Sequence, residues 1–303
     1  MKTRSLKKFI YLSIAAAVIT IVLKVIAWYI TDSVGLLSDA MESCVNLIAA
    51  VIALVMINIA EKPADHEHAF GHGKAEYFSS AIEGAMIIIA AFSIIWSAVP
   101  RLLHPQSIEN AGIGLMVSVF ASLINLAVGL ILIRNGRANN SITLEADGKH
   151  LMTDVYTSIG VLLGILLVKL TGWLILDPIV AVGVALNILY TGYHLIQRSA
   201  TGLLDCALSD DEITRIGQVM KDYQEQGITY HSLLTRQAGQ RKFIELHLLV
   251  PGEWTVQEGH NLAEDIEKQI SSQFDGPVRV LTHIEPKDDP VSMHDIGIDR
   301  LDW

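Results

Sequence analysis

Leu36-Leu37-Ser38-Asp39-Ala40-Met41-Glu42-Ser43-Cys44-Val45-Asn46 sets two polar side chains, Glu42 and Asn46, within a largely apolar stretch. A second stretch, His150-Leu151-Met152-Thr153-Asp154-Val155, does the same with His150 and Asp154. Both pairs have i, i+4 spacing, which stacks each pair on one helix face. Polar or ionisable groups at membrane depth are costly, so they normally face a bundle interior and mark a substrate path. Two carboxylates, one imidazole and one amide carbonyl form a donor set suited to zinc, iron(II), cobalt or manganese. Protons compete with a metal for the same atoms, which is the chemical basis of an exchange. The rival reading is that Glu42 and Asn46 only join helices by hydrogen bonds. Asn46 alone fits either reading; four groups in two matched pairs favour the ligand set.

Working outward, the 303 residues are 51% hydrophobic with a mean hydropathy of +0.42, too apolar for an ordinary soluble domain. Apolar segments long enough to span a bilayer fall near 9–31, 36–60, 78–100, 110–133, 142–170 and 174–197. Lys2, Arg4, Lys7, Lys8, Lys62, Lys74, Arg134, Arg137 and Arg198 flank one set of ends, against Arg101 and Lys169 at the other. The excess of positive charge puts both termini in the cytoplasm. Lys24 and Glu83, inside spans, read as snorkelling or packing charges. Residues 1–198 hold 13 Lys and Arg against 13 Asp and Glu, and residues 199–303 hold 9 against 19, so the net charge of −10 lies in the last third. An acidic soluble part on a neutral apolar body argues against a nucleic-acid partner. With two cysteines there is no disulfide framework. The chain contains no His-Glu-x-x-His helix and no nucleophile beside a base, which sets an enzyme aside.

From Ser209 the pattern becomes that of a soluble domain. Asp210, Asp211 and Glu212 open a helix reaching about Gln226, suited to its positive N-terminal end. Two alternating runs, Thr229–Gln237 and Lys242–Val250, read as a hairpin. A helix over Val256–Phe274 and a strand over Val278–Glu285 complete the order αββαβ. The alternation separates Ile244, Leu246, Leu248 and Val250 from Phe243, Glu245, His247 and Leu249. His283 and Glu285 share a face, and His231 and His260 lie on neighbouring elements, so a second metal cluster and a set of plain surface histidines both fit. Between the second and third spans, Asp65, His66, Glu67, His68 and His72 crowd three imidazoles and two acids into eight residues. That density suits either a metal site or a solvated loop. The acidic tail after Pro286 reads as loose.

With these stretches, together with Phe70-Gly71-His72-Gly73-Lys74-Ala75-Glu76 and Leu176-Asp177-Pro178-Ile179-Val180-Ala181, the chain resembles the cation diffusion facilitator family, in its bacterial zinc/iron(II) efflux type. The resemblance implies a six-transmembrane-helix bundle over 1–203, a ferredoxin-like cytoplasmic metal-binding domain over 204–286 and an acidic tail over 287–303. It further implies a homodimer in the inner (plasma) membrane that exports divalent metal in exchange for protons by alternating access. Zn2+ is the expected substrate and Fe2+ the next, with Mn2+, Co2+, Ni2+ and Cd2+ as further candidates. The implied transport site is Glu42, Asn46, His150 and Asp154, and the loop site is Asp65, His68 and His72. The implied dimer-bridging site is His231, His247, His260, His283 and Glu285, and Lys74 is expected to pair with Asp205. Members of this type usually carry Asp or His where Glu42 stands and Asp where Asn46 stands, so this chain has one carboxylate fewer. The alternative is a membrane-bound metal sensor or scaffold with weak transport.

Overall fold

Long runs of Leu, Ile, Val and Ala with few interior charges satisfy their backbone only as helices in lipid. The structure, a computed structural model, describes residues 6–31, 34–104 and 112–293; within them the side chains at 30–42, 45, 112–115, 118, 161, 165, 169, 177 and 293 lie outside the description. The helices of the first part are α1 (Lys7–Thr31), α2 (Val34–Ala60), α3 (Ala75–Leu103), α4 (Gly112–Ala138), α5 (Ile142–Thr171) and α6 (Leu176–Leu203). Among the described residues, five of these are long and apolar enough to cross a membrane, and the sixth, α2, contributes the shorter apolar stretch Asn46–Ala60. Many large apolar side chains, among them Phe92, Trp96, Leu123 and Leu166, are exposed on the bundle surface, as a lipid-facing exterior requires.

Two interior clusters hold the bundle. Leu6, Ile10, Ala53, Ile57, Leu132, Leu144 and Leu151 join α1, α2, α4 and α5, and Ile87, Ala91, Ala146, Ile188 and Leu195 join α3, α5 and α6. A seam between α4 and α5 sets their register: Ser122 Oγ meets Ser158 Oγ at 2.5 Å, and Gly129 lies against Gly148. A Cβ on Gly148 would stand 2.9 Å from the Gly129 carbonyl oxygen, so only a residue without a side chain lets the backbones approach this closely. Ser141 caps α5, accepting from the Leu144 N–H and donating to the buried Glu76 at the start of α3. Thr143 Oγ1 donates to the Glu76 carbonyl at 3.1 Å. The starts of α3 and α5 are thereby tied together, and the two helices run the same way.

The chain divides between Thr201 and Gly202. The second part contains α7 (Asp210–Gln224), β1 (Thr229–Ala238), β2 (Arg241–Val250), α8 (Val256–Ser272) and β3 (Val278–Pro286), the order expected from the sequence. Strand β2 is central, antiparallel to β1 and parallel to β3. Capping boxes start both helices: Ser209 with Glu212 and Thr255 with Glu258. Ile216 and Met220 of α7 and Ile266 and Ile270 of α8 cover Ile244, Leu246 and Leu248 of β2, leaving the opposite sheet face to the polar alternates. The beginning of the tail is tied down, contrary to the expectation of a loose segment: Lys287 N donates to the Val250 carbonyl at 2.8 Å, and Ser292 Oγ to that of Pro286 at 2.8 Å. Residues 294–303 lie outside the described residues.

Candidate metal centres

Inside the bundle, Asn46 of α2 meets the i, i+4 pair of α5. Asn46 and His150 are buried. His150 Nε2 lies 2.7 Å from Asn46 Oδ1, and Asn46 Nδ2 donates to Asp154 Oδ2 at 2.5 Å. One amide thus bridges an imidazole and a carboxylate on the other helix, which requires the Nε2–H tautomer at His150; its Nδ1 has no hydrogen-bond partner. Asn125 of α4 joins the group, donating from Nδ2 to the same Asp154 oxygen at 2.8 Å while its Oδ1 has no partner. The α4–α5 seam sets this contact, since Asn125–Asp154 lies between Ser122–Ser158 and Gly129–Gly148. The side chain of Glu42, the fourth group expected here, lies outside the described residues.

A cavity of about 640 Å³ borders the group. Asn46, His150 and Asp154 form part of its wall, and Met86, Ser93, Ser97 and Arg101 line it along one face of α3. Those α3 positions span about 22 Å at 1.5 Å per residue. The polar group therefore sits beside a space that extends toward the Arg101 end of α3.

In the connection between α2 and α3, Asp65, His68 and His72 converge. His68 Nδ1 and His72 Nε2 each lie 3.3 Å from an Asp65 oxygen. The His68 backbone N–H donates to Asp65 Oδ1 at 2.7 Å and, with the two imidazoles, holds the Asp65 carboxyl below the usual carboxylate range. A carboxylate that is already ionised is ready to meet a cation. Gly71 takes a left-handed φ of 85° in the turn that carries the loop from His68 to His72.

The free face of the C-terminal sheet carries the third group. His231 pairs with His247 across β1–β2, and His247 with His283 across β2–β3, which places three imidazoles in a row. Ring centroids are 5.0 Å and 4.9 Å apart. Glu285 reaches all three, at 2.8 Å to His231 Nε2, 2.9 Å to His247 Nδ1 and 3.5 Å to His283 Nε2. The β1 register shifts between His231 and Leu234, with Ser232 at a φ of +52°; such a bulge re-aims the side chain beside it. His260, expected in this group, is exposed at the start of the second turn of α8. Its neighbour Gly259 packs on Ile284, on the sheet face opposite His283 and Glu285. Within one chain the described residues therefore bring together His231, His247, His283 and Glu285.

Two polar arrangements were not anticipated from the sequence. Asn125 lies in an apolar run without the i, i+4 partner that marks Asn46; the cost of an amide at membrane depth is the one signal it carries. Glu145, almost fully buried at the start of α5, is surrounded by Arg137 at 3.5 Å, Lys149 at 3.0 Å and Arg198, which ties α4, α5 and α6 together. Asp205 pairs with Arg236 at 3.2 Å within the C-terminal part.

A polytopic helical bundle with metal-type donors in its interior, followed by an αββαβ domain with a histidine-rich sheet face, is the architecture of a metal-ion transporter. Residues 10–204 match the cation efflux transmembrane domain, and residues 208–287 the cation efflux protein cytoplasmic domain. The chain is 48% identical over 292 residues to an uncharacterised transporter of Synechocystis, covering 96% of this chain and 94% of that protein. It is 34% identical over 274 residues to the cation-efflux pump FieF of Shewanella oneidensis, covering 90% and 92%. With FieF of Pectobacterium atrosepticum the identity is 32% over 277 residues, covering 90% of each. The chain belongs to the cation diffusion facilitator family of membrane cation-efflux transporters.

Proposed function

We propose that the protein is a homodimeric exporter of the inner membrane, with both termini cytoplasmic, that exchanges a cytoplasmic divalent metal ion for protons by alternating access. Zinc is the first substrate and iron(II) the second. The observation that carries this reading is the contact of Asn46 with both His150 and Asp154 beside a cavity in the bundle. Asn46 Oδ1, a His150 ring nitrogen, Asp154 and Glu42 are the donors for the transported ion. Metal displaces protons from these groups on the inner side, and protonation on the outer side releases it. Histidine in all three groups favours zinc among the first-row metals. The loop group and the sheet group are sites for cytoplasmic metal, and metal at the sheet group draws two acidic domains together against their mutual repulsion.

Metal flux in proteoliposomes with an imposed pH gradient tests the reading, using Zn, Fe(II), Mn, Co, Ni and Cd in competition. An exporter gives gradient-driven flux with zinc preferred. A sensor or scaffold binds metal at the sheet and gives no flux.

A further inference from the structure

On α3, one turn before the cavity begins at Met86, Glu83 is fully buried and faces the equally buried Asp147 of α5. Asp147 lies one turn before His150 on its own helix. Ser79 Oγ donates to Glu83 Oε1 at 3.1 Å. Glu83 Oε2 and both Asp147 oxygens make no hydrogen bond. The buried Ser13 hydroxyl of α1 is the one donor that bears on Asp147 among the described residues, at a geometry short of a formed hydrogen bond. The groups around the pair offer no compensating cation among the described residues. Glu76 on α3 is engaged by Ser141 and Thr143; Glu145 and Lys149 on α5 pair with each other. Arg198 on α6 is taken up by Glu145. His150 turns its Nε2 to Asn46, and Lys24 is three turns further along α1 than Ser13.

Two buried carboxylates without a cation or a full set of donors cannot both stay ionised. An all-oxygen environment with no accessible surface has room for a proton and none for a hydrated ion. Because α3 and α5 run in the same direction, the polar contacts stack in layers. Glu76 with Ser141 comes first, Glu83 with Asp147 next, and Asn46 with His150 and Asp154 last, where the cavity opens toward Arg101. The acid pair thus occupies the closed layer between the cavity and the loop-bearing end of the bundle.

We propose that Glu83 and Asp147 form a second proton site of the membrane domain, holding a proton while this layer is closed and giving it up when α3 and α5 part. On opening, a carboxyl O–H bond breaks, the proton passes to water entering from the loop-bearing end, and a carboxylate remains to meet the incoming cation. This inference rests on the proton coupling proposed above.

The test uses the full-length protein with Glu83→Gln and Asp147→Asn, amides that keep the shape of a protonated acid and cannot titrate. Infrared difference spectra of the native protein on zinc addition are expected to show loss of a protonated-carboxyl stretch, and both variants are expected to lack that change. Proton and zinc fluxes in proteoliposomes are expected to fall by about one proton per zinc in either variant, because the amide has no proton to exchange. Native coupling with an unchanged ratio in both variants overturns this inference alone, as does a carboxyl band that ignores zinc. Native zinc flux with no proton counterflow overturns the coupling reading and this inference with it.

Discussion

The interior group of the bundle and the histidine row of the C-terminal sheet use similar chemistry on opposite mechanical supports. In the sheet, His231, His247, His283 and Glu285 sit on three paired strands, with one bulge after His231, so no donor's backbone can leave without breaking strand pairing. In the bundle, Asn46 comes from α2, His150 and Asp154 from α5, and Asn125 from α4; helices can shift against one another without losing backbone hydrogen bonds. A fixed cluster suits retention of an ion, and a divided one suits capture followed by release. Imidazoles dominate the first, while a single imidazole with amides and a carboxylate gives the second a harder donor set.

The largest effects should separate the two regions. Asp154→Ala is expected to lower zinc flux by on the order of 100-fold or more, since even outer partners of a metal site cost about 10- to 100-fold. His247→Ala should remove zinc from the C-terminal sheet while leaving flux within about tenfold of native, because it lies outside the path. The reverse pattern in a proteoliposome zinc assay would break the comparison. Next comes Asn125→Leu, which removes an N–H donor from Asp154 and keeps the side-chain volume. A fall of about 10- to 100-fold in flux is expected, and unchanged flux would reduce Asn125 to a helix tie.

A stability effect follows. Lys242 of β2 and Glu212 of α7 are paired at 2.7 Å with side chains only 5% and 13% exposed. Lys242→Met strands the carboxylate and is expected to destabilise the C-terminal domain by about 3–5 kcal/mol, the cost of breaking a buried pair from one side. Burial works against the charge on Glu212, yet Lys242 and the Ser209 contacts outweigh it and hold the carboxyl below its usual value. Glu212 therefore contributes stability above the unfolded value of about 4.3, and that contribution is lost as pH falls through the lowered folded value. Hydrogen exchange of β2 amides in the full chain, followed downward from neutral pH, reads this loss; the Lys242→Met protein should lack it. The smallest effect is expected for His260→Ala, which should leave the zinc content of the chain unchanged, since His260 stands on the helix side of the sheet. A lost zinc would reunite it with the cluster.

Periodicity explains what could be read in advance. Alternation over Lys242–Val250 divides core from polar face, and capping residues at Ser209 and Thr255 mark both helix starts, so the αββαβ order follows from local rules. Strong i, i+4 pairs likewise expose α2 and α5 as partners. Other features depend on tertiary packing. Asn125 has no ionisable companion at helical spacing, and its role exists only because Gly129 and Gly148 bring α4 against α5. The resemblance places His260 in a site bridging two chains, and within one chain α8 holds its neighbour Gly259 against Ile284, on the helix side of the sheet. The left-handed Ser232 that re-aims His231 leaves no mark in a run that reads as plain strand. Glu83, read as a snorkelling or packing charge, is enclosed because α3 packs it toward α5 and not toward a membrane surface.

The most direct test of the interior group is zinc X-ray absorption on the full chain carrying alanine at His68, His72, His231, His247 and His283. With the loop and sheet donors gone, one bound zinc per chain is expected, ringed mainly by oxygen with a single imidazole from His150. A protein that binds no zinc, or a zinc shell with several imidazoles, would contradict it.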